Sequence, residues 1–370
     1  MYATTTATTT VRGKSPGFQL TGQPVRAPEI ERIDKAGTTT LMDANSALAH
    51  VEIHVVDLIH QAKAAQRNGQ KIKDQDFKVE VIRMTPSSPS APPVVIIGGM
   101  GPLAGAQAMQ AALTMFTDTR ELVLLQLCSA PDRTPVVKHQ LGHQVEGGNK
   151  RELVLDVLAS GFEKAQANVT AVNLGKAHAV VACNTAHNFV GDAFALYERR
   201  QGAGATMTSM SMVECVVEHL KGEKRPVLLL GTDGTRLSGL YTSPLTRAGV
   251  KCVNLAESEM GFLMDAIYEG VKAFDPDRTV VHGQQLLSAL RDAGKLPEGK
   301  CVVLAACTEV PEIISTLREK GSEATKKTLE QFEVVDPMQV TLRRIAAVDA
   351  QRAEQRAGAN PEPPDPDLKA

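Results

Sequence analysis

The sequence predicts an α/β protein of two pseudo-symmetric domains, each a parallel sheet flanked by helices. Three observations carry this. Short apolar runs alternate with helical patterns from Val94 onward, the order that gives parallel sheets with right-handed crossovers. Two of those runs enter a glycine loop: VVIIGGMGP at 94–102 and VLLLGTDGT at 227–235. Two others end in alanine, cysteine and small polar residues before a helix: VVACNTAHNF at 180–189 and VVLAACTEVP at 302–311. Each half therefore opens on a strand and glycine loop and closes on a strand and cysteine, as an internal duplication would.

Taken in order, residues 1–37 lack hydrophobic periodicity and carry no acid before Glu29. They read as a disordered tail, or alternatively as an address tag for export or import. Residues 41–66 place Leu48, Val51, Val55, Leu58, Ala62 and Ala65 at three- and four-residue steps, which predicts an amphipathic helix. Residues 77–84 suit a short strand, and PSSPSAPP at 86–93 a linker. Residues 1–93 thus form an N-terminal extension, with the compact body starting at Val94.

In the first domain, 94–210 plus 334–350, strands are expected at 94–97, 122–127 and 179–182. Its helices are expected at 103–116, 150–166 and 186–199. In the second, 211–333, strands are expected at 227–230, 252–255 and 302–305, and helices at 211–220, 258–274 and 283–293. A last strand at 332–335 leads into a helix at 339–350, and 351–370 reads as a frayed tail. Ligands of such sheets bind beyond the carboxyl ends of the strands, where both cysteines and both glycine loops fall.

The chain has 370 residues, 43% hydrophobic and 22% charged, with a net charge of −2, so general nucleic-acid binding is not expected. No apolar run reaches the roughly 20 residues of a membrane span, so no membrane partner is expected. With no tryptophan and only 4% aromatic residues, stacking platforms for bases or sugars are not expected either. Six scattered cysteines without a CxxC pair read as free thiols in a reducing compartment, which points to the cytoplasm.

The glycines at 99, 101 and 105 are spaced GxGxxxG, and no acid closes the second strand, so a dinucleotide site is not expected. The loop offers backbone N–H groups at a helix start, suited to a carboxylate as well as a phosphate. His139 and His143 lie four apart in what reads as a loop with no third ligand, so no metal is expected. Cys128, Cys215, Cys252 and Cys301 fall on apolar faces and read as packing residues. Cys183 and Cys307 read either as small buried hydrophobes or as thiols whose pKa a helix start lowers.

GGMGPLA at 98–104, PDRT at 131–134, CNTAH at 183–187, SGLY at 238–241, IYEGVKA at 267–273 and CTEV at 307–310 resemble aspartate racemases. These belong to the cofactor-independent aspartate/glutamate racemase superfamily. The resemblance spans about 94–347 and leaves the extension uncovered. It implies an amino-acid racemase with no cofactor, an interdomain active site and a homodimer. The glutamate in CTE resembles aspartate racemases, since glutamate racemases usually carry histidine there. It also implies that Arg133 and Lys272 meet a second carboxylate on the substrate. Two departures stand out: Ala306, where the family usually has glycine, and Gln126, at a strand end where relatives present asparagine. The segment 135–150 is also longer than usual.

Racemisation removes an α-proton from one face of a carbon and delivers another to the opposite face. It needs two acid/base groups, one protonated and one not, with pKa values near the working pH. Cys183 and Cys307 supply that pair if the two halves face each other. Met100 and Gly101 backbone N–H groups, Asn184, Thr185 and Thr308 are the expected donors to the charge that spreads into the substrate carboxylate. His187 and Glu309, beside the thiols, are expected to tune them. The alternative is the same fold without turnover, a carboxylate-binding or protein-interaction module working through its extension.

Overall fold

The computed structural model describes residues 29–33, 39–42, 44–67 and 81–358, apart from residues 87, 117, 118 and 298. The strands are β1 (Glu29–Ile33), β2 (Thr39–Met42), β3 (Val81–Thr85), β4 (Val94–Gly98), β5 (Leu122–Gln126) and β6 (Ala177–Val181). They continue with β7 (Met207–Ser209), β8 (Val227–Gly231), β9 (Cys252–Val253), β10 (Cys301–Ala306) and β11 (Phe332–Val335). A seven-stranded sheet has the order β2-β1-β3-β5-β4-β6-β7, and a four-stranded sheet the order β11-β10-β8-β9. All pairings among β4 to β7, and all in the smaller sheet, are parallel. Every residue of β4, β5, β6, β8 and β10 is buried. Helices cover both faces of such strands, which is why they read as unbroken apolar runs without alternation.

The α/β class with parallel, helix-flanked sheets is therefore as the sequence predicts. Upstream of Val94 the outcome differs. β3 pairs antiparallel with β5, so the larger sheet takes in part of the extension. β1 then pairs antiparallel with both β3 and β2, within and just beyond the stretch expected to be disordered. Residues 1–28 and 34–37 of that stretch, and 77–80 of the expected strand, lie outside the described residues. The amphipathic helix spans Ala44–Arg67. Its Val51 joins the core beneath helix Pro102–Phe116, and Leu58 and Ala62 pack on Cys128. The stripe thus covers the main body of the same chain.

The final helix, Pro337–Gly358, runs past the expected boundary into the stretch read as a tail, of which 359–370 lie outside the described residues. Its Met338, Leu342 and Ile345 return to the core of the larger sheet. Asp349 on that helix accepts from Arg120 at 2.7 Å and from His178 Nε2 at 3.1 Å. Burial lowers the His178 pKa, so its imidazole is neutral and Nε2–H donates. No described helix is long and apolar enough to cross a membrane.

Candidate active site

The site is assembled from strand ends. After β6 the chain turns through Cys183, Asn184, Thr185 and Ala186 into helix His187–Gln201. After β10 it turns through Cys307, Thr308 and Glu309 into helix Val310–Lys320, with proline in the first turn. After β4, Gly99 (φ 87°) and Gly101 (φ 113°) bracket Met100 before helix Pro102–Phe116. A Cβ on Gly99 would lie 2.3 Å from the Leu127 backbone nitrogen, so glycine is required there on two counts.

These ends converge. Cys183, Asn184, Thr185, Met100, Asp132, Arg133 and Thr134 from the larger sheet line one cavity with Thr232, Tyr268, Lys272, Cys307, Thr308 and Glu309 from the smaller. Both cysteines are buried, each residue 5% exposed. The cavity is about 20 Å³, room for little more than a water molecule. A wider groove of about 530 Å³ between helices Ala44–Arg67, Pro102–Phe116 and the segment 270–279 contains neither thiol. Among the described residues no group of three or more His, Cys, Asp or Glu is placed to hold a metal ion. His139 lies in helix Arg133–Gln140, not in a loop.

Cys307 Sγ donates to Glu309 Oε2 at 2.9 Å, and Thr308 Oγ1 donates to the same oxygen at 3.0 Å. Burial first, then the Glu309 charge and hydrogen bond, pushes the Cys307 thiol well above its usual range. This corrects the expectation that helix-start placement lowers it: desolvation and an adjacent carboxylate outweigh the helix N-terminus. Glu309 Oε1 is buried without a hydrogen-bond partner among the described residues, and a Cβ on Gly101 would lie 2.2 Å from it.

His187 does not line the cavity. Its Nδ1 lies 2.9 Å from the Cys183 carbonyl, and its Nε2 accepts from the Met212 N–H at 3.2 Å. Nδ1 therefore carries the proton and donates, and burial lowers the pKa to about 4. A neutral ring with both nitrogens on the backbone braces the cysteine turn and does not face a thiol.

Arg133 lines the cavity, yet its NH1 donates to Pro131 O at 2.9 Å and its NH2 to Met100 O at 2.9 Å, so it also supports the glycine loop. Lys272 Nζ sits 5.1 Å from the centre of the Tyr268 ring. Tyr268 lies in a stretch of π-helix, Ala266–Val271, and Lys272 caps its end, where continuous α-helix is expected from sequence. The Lys272 N–H reaches back to Ile267 O, five residues away; such wide turns recur at functional sites. Tyr268 OH donates to Asp132 Oδ2 at 3.2 Å, joining the two lobes at the cavity. Asp132 and Tyr268 lay inside recognised motifs, but nothing in the local sequence marked them as cavity residues.

The two departures do not reach the cavity. Gln126 is buried, donates to Pro102 O at 2.7 Å and fills the space that a Cβ on Gly98 or Gly105 would need. The Ala306 methyl faces Gly231, away from the thiols.

Residues 97–345 match the family model described as Asp/Glu/Hydantoin racemase. The chain belongs to the Asp/Glu/hydantoin racemase family. Among solved structures it is similar to an aspartate racemase from Picrophilus torridus, at 20% identity and a TM-score of 0.48, covering 70% of this chain and 95% of that one. It is also similar to an aspartate racemase homologue from Pyrococcus horikoshii OT3, at 16% identity and a TM-score of 0.43, covering 70% and 98%. A glutamate racemase from Bacillus anthracis matches at 13% identity and a TM-score of 0.43, covering 72% and 84%.

Proposed function

We propose that this family member is a cofactor-independent racemase of aspartate or a similar acidic amino acid, acting through Cys183 and Cys307. The observation that carries the reading is the meeting of two thiols, one from each sheet, at a single enclosed cavity that also holds Arg133, Lys272, Asp132 and Glu309. Cys183 as thiolate takes the α-proton from one face, forming S–H. Cys307 gives its proton to the opposite face of the carbanion and becomes the thiolate. The configuration inverts and the thiol and thiolate exchange roles, so the reverse reaction uses the same two groups.

The raised Cys307 pKa suits the acid role, since the thiol holds its proton until a stronger base, the carbanion, arrives. The resulting thiolate lies beside Lys272, whose charge favours it. Lys272 and Arg133 then serve the substrate's side-chain carboxylate, as a point charge and a planar fork respectively. The cavity is too small for an amino acid, so the lobes separate to admit substrate and close over it, excluding water and strengthening these contacts. The test is incubation with L-aspartate in heavy water. Incorporation of α-deuterium with loss of optical rotation is expected. No exchange across a panel of acidic and neutral amino acids would leave a carboxylate-binding module as the better reading.

A further inference from the structure

Asn184 lines the cavity, but which end of its amide faces inward is decided from the other lobe. Tyr241 follows β8, and its ring is fully buried in the core of the smaller sheet with Val216, Leu229 and Leu304. Its hydroxyl crosses to the first lobe and donates to Asn184 Oδ1 at 2.5 Å. Burial, followed by the charge of Asp336, raises the phenol's pKa well above the usual value, so the proton stays on the oxygen. Among the described residues that hydroxyl has no other acceptor, and a buried phenol with one partner donates to it. Oδ1 is thereby fixed as the acceptor. Nδ2, the two-proton donor, is then left at the cavity side, where among the described residues it has no hydrogen-bond partner.

We infer that Tyr241 is a positioning residue, whose hydroxyl orients the Asn184 amide so that Nδ2 is presented to a substrate carboxylate oxygen. The inference rests on the carboxylate-binding part of the racemase reading. Without the hydroxyl the amide is free to rotate, and half of its orientations offer an oxygen to an anion. Because tyrosine and asparagine stand on different lobes, the donor is set only while the lobes are docked. Closing the cleft and arming the donor become one event. SGLY, at 238–241, thus has a role although Tyr241 does not line the cavity.

The test is a double-mutant cycle of Tyr241→Phe and Asn184→Ala. It is read as kcat and KM for α-proton exchange on L-aspartate, and as the dissociation constant for succinate, which has no amino group to turn over. Tyr241→Phe is expected to lower kcat/KM and succinate affinity about tenfold, the scale of one hydrogen bond. The double variant should be no worse than Asn184→Ala alone, because the phenol acts only through the amide. Additive losses, or an unaffected Tyr241→Phe, overturn the inference. Asn184→Asp guards against misfolding: it keeps the acceptor for Tyr241 and deletes the donor, and should bind succinate as poorly as Asn184→Ala. Near-wild-type binding by Asn184→Asp also overturns it. If the wild type binds succinate but exchanges no α-proton, the racemase reading fails, and the succinate cycle still judges Tyr241. A wild type that binds no carboxylate overturns both.

Discussion

Replacing His187 with asparagine should flatten the protein's response to acid. The folded-state pKa is about 4 against 6.5 for an unhindered imidazole, because burial disfavours the cation. Above pH 6.5 the ring is neutral in both folded and unfolded chains, and stability does not depend on its titration. Below 6.5 the unfolded chain binds a proton that the folded one refuses, so stability falls with pH until about 4. At about 1.36 kcal/mol per pH unit, the loss is about 2 kcal/mol by pH 5 and about 3 kcal/mol by pH 4. His187 keeps some solvent access, which makes these upper bounds. The assay is the urea unfolding midpoint of both proteins at pH 7.5 and pH 5. At pH 7.5 the variant should be weaker, since asparagine cannot hold both the Cys183 carbonyl and the Met212 N–H. At pH 5 that gap should have narrowed by up to about 2 kcal/mol. A gap of equal size at both pH values would refute the assignment of a neutral, desolvated bracing ring. Other acid-sensitive groups, His178 among them, act equally in both proteins and cancel.

Glu309→Gln removes the negative charge beside Cys307 but leaves the burial, so the thiol's pKa should fall. Iodoacetamide labelling of Cys307, followed by peptide mass spectrometry, should begin at a lower pH than in the wild type; an unchanged or higher onset contradicts the pairing. Gly101→Ala combines a φ of 113° with a Cβ 2.2 Å from Glu309 Oε1, so it should cost about 2 kcal/mol or more of stability and most of the activity. A stable, active Gly101→Ala would show that the loop and Glu309 relax freely. Lys272→Ala should raise KM for a dicarboxylic amino acid about tenfold while leaving KM for alanine little changed, the loss of one charge-assisted contact. Equal effects on both substrates would deny Lys272 a role at the side chain.

Much of this architecture is written in local pattern. The buried strands β4, β6, β8 and β10 are read directly because parallel strands covered on both faces cannot alternate polar and apolar residues. The strand-end cysteines are legible for the same reason, since an apolar run that stops in small polar residues marks a loop at the carboxyl edge. What local pattern did not carry is long-range. β3 joins the larger sheet through pairing with β5, a partner about forty residues on, and only that pairing distinguishes it from a linker strand. The π-turn that carries Tyr268 and Lys272 has the same residue types as an α-helix, so its register is set by packing. The direction of the Cys307 pKa shift turns on burial and on the rotamer of Glu309, neither of which a one-dimensional spacing contains. Likewise His187, adjacent in sequence to the cysteine turn, points to backbone at both ring nitrogens.

The most direct measurement is racemisation of L-aspartate by the two single variants Cys183→Ala and Cys307→Ala, each checked for native unfolding behaviour. With two sulfurs on opposite faces of one carbon, either deletion should abolish interconversion of the enantiomers. A folded variant lacking one of these thiols that still racemises at the wild-type rate would contradict the account.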